Sequence, residues 1–167
     1  MTNQHFCVRT YTICIILRLL GEPVTRRRVF LLVYVHSAPD HYVKRLLLRQ
    51  TWAKPLLYDL DIRLAFFVGR RSGDSVLEQA VRLEAAQFGD IIQADFEDSY
   101  RNLTLKAISA VTWISRYCNQ TRYVLKTDDD AYVNMRALLR HLGMYSQGRI
   151  YSKPGPVQKK MWGPQGP

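Results

Sequence analysis

Four times along this chain a short apolar segment rich in β-branched and aromatic residues gives way to a segment with helical spacing, and that alternation limits the fold more than any other feature. Val29 to Val35 (VFLLVYV) is an unbroken apolar run, the composition of a strand buried on both faces. His36-Ser37-Ala38-Pro39-Asp40 interrupts it, and Asp40 is placed to cap a helix reaching about Trp52. Its apolar spacing points Tyr42, Val43, Leu46 and Leu47 inward, with Lys44, Arg45 and Arg49 partly on the other side. Ile62 to Val68 is a second strand, closed by Gly69. Ser75 and Glu78 form a capping-box pattern for a helix whose apolar side is Leu77, Val81 and Phe88 with Val76, Ala80 and Leu83. Gly89 ends that helix and Asp90 to Asp95 reads as a third strand. A helix from about Asn102 to Cys118 carries Leu103, Ala107, Ala110, Val111, Ile114 and Cys118 at helical spacing. Tyr123-Val124-Leu125 is a fourth, short strand, and Met135 to about Tyr145 a last helix. This order predicts an α/β domain with a mostly parallel sheet flanked by helices and joined by right-handed crossovers.

With 167 residues, 47% of them hydrophobic, the chain has the material for one such core and is not a disordered or disulfide-dense miniprotein. Its net charge of +10 raises nucleic acid as a partner, so the position of the charge matters. Residues 1–28 hold five arginines against Glu22, and residues 149–167 hold four basic side chains and no acid. The 29–148 segment between them is nearly neutral, with 15 basic and 13 acidic side chains. A groove that neutralises many phosphates needs clustered cations on one face. Nucleic-acid binding is therefore disfavoured, and the expected layout is an atypical basic segment (1–28), a domain (29–152) and a run-off tail (153–167) without periodicity.

Cys7, Cys14 and Cys118 cannot all pair within one chain and show no C-x-x-C spacing, so they leave the redox compartment open. Asn102-Leu103-Thr104 and Asn119-Gln120-Thr121 permit glycosylation in a secretory lumen. Tyr11 to Leu17 is apolar for only seven residues, whereas a bilayer span needs about 20. No convincing anchor or signal peptide is read from it.

Asp128, Asp129 and Asp130 follow the fourth strand, and in open α/β sheets ligands bind beyond the carboxyl ends of strands. Three adjacent carboxylates repel one another unless a cation is near, and a hard divalent ion with oxygen ligands suits them. Alternation along extended chain turns Asp128 and Asp130 to one side and Asp129 to the other, a geometry for a metal that holds a diphosphate. Two other readings stand beside it: a solvated turn favouring the positive end of the next helix, and a haloacid-dehalogenase-type phosphohydrolase. The latter expects Thr or Val where Tyr132 stands, and its motif usually follows the first strand.

Several segments, in order, resemble one family: Arg45 to Trp52 (RLLLRQTW); Phe66-Phe67-Val68-Gly69; Glu84 to Gly89 with Asp90-Ile91-Ile92-Gln93; Asp95 to Tyr100; Asn102 to Lys106; and Tyr123 to Asp130 with Val133-Asn134. The family is that of the inverting Golgi β1,3-galactosyltransferases and β1,3-N-acetylglucosaminyltransferases, and the likeness covers about residues 29–152. It implies a glycosyltransferase-A-like fold, here the Rossmann-like nucleotide-sugar-binding half, incomplete at the C-terminus. It further implies metal-dependent transfer of a hexose or N-acetylhexosamine, with inversion, from a UDP-sugar to a glycan or glycoprotein acceptor.

By this resemblance Asp130, with Asp128, binds Mn²⁺, while Asp128, Asp129, Arg49 and Lys106 meet the nucleotide sugar; the alternative for Arg49 and Lys106 is a charge on a helix surface. His36 and Ser37 occupy a loop where uracil or ribose would lie, or else serve as turn and helix cap. Trp52, Trp113, Phe66 and Phe67 read as core. The family works at the Golgi membrane, but its anchor and stem are not recognisable before Arg26. Its general base comes from an acidic segment beyond the metal motif, and residues 131–167 contain no Asp or Glu. The expectation is a donor-binding fragment of a hexosyltransferase with little or no turnover of its own. A non-catalytic UDP-sugar binder is the alternative.

Overall fold

A computed structural model describes residues 29–54 and 60–146; the basic segment 1–28 and the tail from 147 onward lie outside the described residues. Strands β1 (Leu31–His36), β2 (Ile62–Arg70), β3 (Ile91–Glu97) and β4 (Tyr123–Asp128) alternate with helices α1 (Tyr42–Gln50), α2 (Ser75–Phe88) and α3 (Leu103–Tyr117). Every strand pair is parallel and the spatial order is β3-β2-β1-β4. A last helix, α4 (Met135–Ser146), belongs to a separate unit that begins at Val133; its first turn is capped by Asn134, whose Oδ1 accepts from Ala137 N at 3.0 Å. The α/β class, the parallel sheet and the flanking helices are those the alternation predicts. Among the described residues no helix is long and apolar enough to cross a membrane.

The chain steps from β1 to β2 to β3 in one direction and then returns across β1 to β4. Right-handed crossovers therefore put α1 and α2 on one face and α3 on the other. Contacts agree: Arg45 and Arg49 of α1 bond Glu84 of α2, while Trp113 of α3 meets Phe67 edge-on at 5.6 Å between ring centroids. On the α3 face Leu32, Tyr34, Ala65, Phe67 and Ile92 pack with Ala110, Trp113 and Cys118. On the other face Leu31, Val33, Val35, Phe66 and Val68 are buried. Phe66, Phe67, Trp52 and Trp113 are thus core residues.

The helices differ from the apolar pattern in which side they bury. In α1 the buried residues are Arg45 and Leu48, whereas Val43 is 76% and Leu47 59% exposed, the reverse of the expected orientation. Val81 and Glu84 of α2 face inward while Val76 and Leu83 are exposed. In α3 the inward residues are Lys106, Ser109, Ala110 and Trp113, and Leu103 and Val111 are exposed. The reason is common to all three: each helix turns a charged side chain toward a partner of opposite sign, and a paired, hydrogen-bonded charge can be buried.

Boundaries shift for local reasons. Asp74, not Ser75, caps α2, its Oδ1 accepting from Leu77 N at 2.9 Å, while Glu78 accepts from Arg71 N and Gln93 Nε2. His41, not Asp40, is the N-cap position of α1, with no side-chain cap bond. Gly89 ends α2 in the left-handed conformation (φ 69°), as its place after the last apolar residue predicts. β4 extends to Asp128 because each of its residues pairs in register with β1, from Leu31↔Tyr123 to His36↔Asp128.

Gly69 sits where the β2–β3 register shifts, and its N–H donates to Asp98 Oδ2 at 2.7 Å. A Cβ there would lie 2.8 Å from the Phe96 carbonyl oxygen and 2.9 Å from Asp98 Cβ. Backbone cannot yield as a flexible side-chain end does, so Gly69→Ala should cost about 2–3 kcal/mol, read as a lower urea midpoint at unchanged m-value. An unchanged midpoint would show that this close approach is not required.

Candidate functional site

Because the connections leave β1 in one direction and β4 lies on its other side, a crevice opens at the carboxyl ends of β1 and β4, the place where open α/β sheets take ligands. Two loops meet there. Residues 37–41 leave β1 toward α1, and residues 129–132 leave β4. His36 and Asp128 stand opposite each other in register at the strand ends.

The three aspartates divide as backbone alternation requires. Asp129 is buried, whereas Asp128 and Asp130 are exposed. Asp129 Oδ2 accepts from Ser37 Oγ at 2.7 Å and meets His41 Nδ1 at 2.7 Å, and its Oδ1 accepts from Lys44 Nζ at 3.3 Å. Burial pushes its pKa up, but the bonds from Ser37, His41 and Lys44 outweigh that and hold it below the usual carboxylate range. Asp128 pairs with Lys126 at 2.6 Å, an exposed contact of small energetic weight. Asp130 makes no hydrogen bond or ion pair with another described residue, so its oxygens are open to a ligand.

Behind the crevice lies a buried polar network. Arg45, wholly buried, spends its guanidinium on Glu84 (Nε to Oε1 2.9 Å, Nη2 to Oε2 2.6 Å), on Ser37 Oγ at 3.0 Å, and on the carbonyls of Ala38 and Pro39. Arg49 donates to both oxygens of Asp90 and to Glu84 Oε1, and lies over the Phe66 and Phe88 rings. Burial lowers its pKa, but the bonds to Asp90 and Glu84 prevail and raise it. On the opposite face Lys106, 4% exposed, bonds Asp98 Oδ1 at 2.7 Å and the Ser37 carbonyl at 2.8 Å through its Nζ. Thus Asp128, Asp129, Asp130, His36, Ser37 and Lys106 come together at one sheet edge. Arg49 sits farther along α1, in the pair with Glu84 and Asp90.

Burial, then Lys126 and Lys106, push the His36 imidazole down to about 4, and its Nε2 is buried without a hydrogen-bond partner. A folded-state pKa below the unfolded 6.5 means that only the unfolded chain takes up the proton between the two values. Stability is then complete above pH 6.5 and falls as pH drops toward 4, by on the order of 2 kcal/mol after allowance for screening. Asp129 adds to the loss in the same direction below the ordinary carboxylate pKa. In metal-free buffer, His36→Gln should flatten the stability curve between pH 6.5 and 4.5; an unaltered slope would contradict a neutral buried imidazole.

Arg45, Glu84, His41, Lys44 and Asp98 also take part in this site, with no role that the sequence alone assigns them. The signals in the sequence are the family-like segments that hold Arg45, Glu84 and Asp98 and the spacing of Arg45 and Arg49, four apart on one helix face. Apolar patterning sends such charges outward unless the partner is known.

Residues 43–157 match the family described as Galactosyltransferase. A β-1,3-galactosyltransferase 4 from Rattus norvegicus is 41% identical over 114 residues, 68% of this chain and 30% of that protein. A Homo sapiens acetylgalactosaminyl-O-glycosyl-glycoprotein β-1,3-N-acetylglucosaminyltransferase is 36% identical over 129 residues, covering 74% and 34%. A Sus scrofa UDP-GalNAc:β-1,3-N-acetylgalactosaminyltransferase 1 is 33% identical over 141 residues, covering 83% and 40%. The chain therefore spans 30–40% of the length of these curated relatives.

Proposed function

We propose, from the premise that this chain belongs to the galactosyltransferase family, that the crevice between β1 and β4 binds the nucleotide diphosphate of a UDP-sugar through a divalent metal, as the donor half of a β1,3-hexosyltransferase. The observation that carries the reading is the division of the aspartates: two exposed carboxylates at a sheet switch point, with the third turned inward as a support.

The residues present fit Mn²⁺. Asp130 and Asp128 offer hard oxygen donors at an exposed edge, as such an ion requires. Among the described residues no three His, Cys, Asp or Glu side chains form a ready-made cage, so the remaining ligands would be diphosphate oxygens and water. When bound, the metal neutralises charge on the departing UDP. The chain's own residues orient the donor: His36 and the 37–41 loop beside Asp128 border the uracil and ribose, Lys106 and Asp129 hold that loop through the Ser37 carbonyl and hydroxyl, and Arg49 braces Glu84 and Asp90 farther along α1. Attack by an acceptor hydroxyl of a glycan or glycoprotein requires a general base within hydrogen-bond reach.

The setting we infer is the Golgi membrane. Of the two sequons, Asn119 is exposed, whereas the Asn102 amide is engaged with the Glu97 carbonyl at 2.8 Å, so Asn119 is the better glycan acceptor. Incubation with UDP-galactose or UDP-N-acetylglucosamine, with and without Mn²⁺, tests the reading: donor binding that depends on the metal is expected. Donor binding that ignores the metal, or none at all, would refute it.

A further inference from the structure

We propose that Ser37 is a positioning residue that locks the nucleotide-side loop to the metal-side strand and touches neither ligand with its own side chain. The inference rests on the donor-site reading above and deepens it. Ser37 is 3% exposed, and all its polar atoms are engaged. Its N–H donates to the Phe67 carbonyl of β2 at 3.1 Å. Its carbonyl accepts from Lys106 of α3 at 2.8 Å. The hydroxyl donates to Asp129 Oδ2 at 2.7 Å while accepting from Arg45 Nη1 of α1 at 3.0 Å.

A serine hydroxyl has one proton to donate and lone pairs with which to accept, so the Asp129 and Arg45 bonds leave no second donor for a nucleotide. Each partner is itself fixed: Lys106 by Asp98, Arg45 by Glu84, and Asp129 by His41 and Lys44. Ser37 thus joins four elements at one point, and the Ser37–Asp129 bond links the end of β1 to the residue between the two exposed carboxylates. A ligand that spans both sides, base or ribose on the 37–41 loop and diphosphate on a metal at Asp128 and Asp130, needs their separation held fixed. A metal alone needs only the carboxylates. Ser37 should therefore matter for nucleotide and not for metal, because a preset geometry removes ordering cost from the spanning ligand only.

The test compares the full chain with Ser37→Ala, Ser37→Thr, Asp129→Asn and the Ser37→Ala/Asp129→Asn double variant. It measures UDP affinity with Mn²⁺ by calorimetry, Mn²⁺ alone by water-proton relaxation, and the unfolding midpoint. Loss of a buried bond to a charged group should weaken UDP with Mn²⁺ about tenfold in Ser37→Ala at a temperature well below its midpoint. Mn²⁺ alone should change by less than about twofold. Ser37→Thr retains the hydroxyl and should restore most of the affinity, and the double variant should lose less than the sum of the singles, because both disturb the same Ser37–Asp129 bond. Should Ser37→Ala fail to fold, Asp129→Asn carries the same comparison. Wild-type affinity in Ser37→Ala or Asp129→Asn, equal losses for UDP and for Mn²⁺ alone, or no rescue by threonine would each overturn the positioning role. If the unaltered chain binds no UDP with Mn²⁺, the donor-site reading itself falls and this role with it.

Discussion

Glu84→Leu should lower the unfolding free energy by about 3–5 kcal/mol. Glu84 is 4% exposed and accepts from Arg45 Nε, Arg45 Nη2 and Arg49 Nη1 at 2.6–2.9 Å. Arg49 keeps Asp90 when Glu84 is gone, but Arg45, with no exposed surface, keeps only a hydroxyl and two carbonyls. The cost is that of a buried guanidinium without its anion rather than of a lost attraction. A chain of this size loses about 2–4 °C of midpoint per kcal/mol, so the thermal transition should fall by on the order of 10 °C. Val43→Ser is the control. Val43 is 76% exposed, although apolar spacing points it inward, and its replacement should change stability by less than about 0.5 kcal/mol. Losses of equal size at both positions would contradict the inward charged face of α1.

The largest functional effect should come from Asp130→Ala. This side chain is exposed and engages no other described residue, so its removal should leave stability within about 0.5 kcal/mol. If it is the principal protein ligand of the metal, affinity for UDP in the presence of Mn²⁺ should fall about 100-fold while the weak metal-free affinity is unchanged. Asp129→Ala should behave in the opposite sense on stability, losing about 2–3 kcal/mol, because it leaves Ser37, His41 and Lys44 without their shared acceptor. A solvated turn, the competing reading of the triple aspartate, demands that Asp130→Ala change nothing in binding. Asp130→Ala therefore separates the readings by its effect on binding, and Asp129→Ala checks the inward support by its effect on stability.

The sequence made the architecture legible because strand composition and strand-helix order are local properties. VFLLVYV reads as a doubly buried strand without reference to any other segment, and β1 is the central strand it predicts. The site's place was legible for the same reason, since three aspartates directly after a strand can lie only at a carboxyl edge. Their alternation followed from extended backbone. The helix faces were not legible. Val43 and Leu47 against Arg45 and Arg49 is a choice between burying apolar surface and burying charge, and it is decided by Glu84 and Asp90, about 40 residues away in sequence and adjacent only after β2 has formed. Ser37 and Lys106 share that difficulty. One sits in a turn and the other on a helix, and nothing local says that a single carbonyl joins them.

Calorimetric titration of UDP into the full chain, once with Mn²⁺ and once with EDTA, tests the donor-site claim most directly. The expected result is binding at one site per chain with Mn²⁺, weakened about 100-fold by the chelator and by Asp130→Ala. Equal binding with and without metal, or no binding of UDP together with a salt-steep affinity for nucleic acid that survives Asp130→Ala, would contradict it.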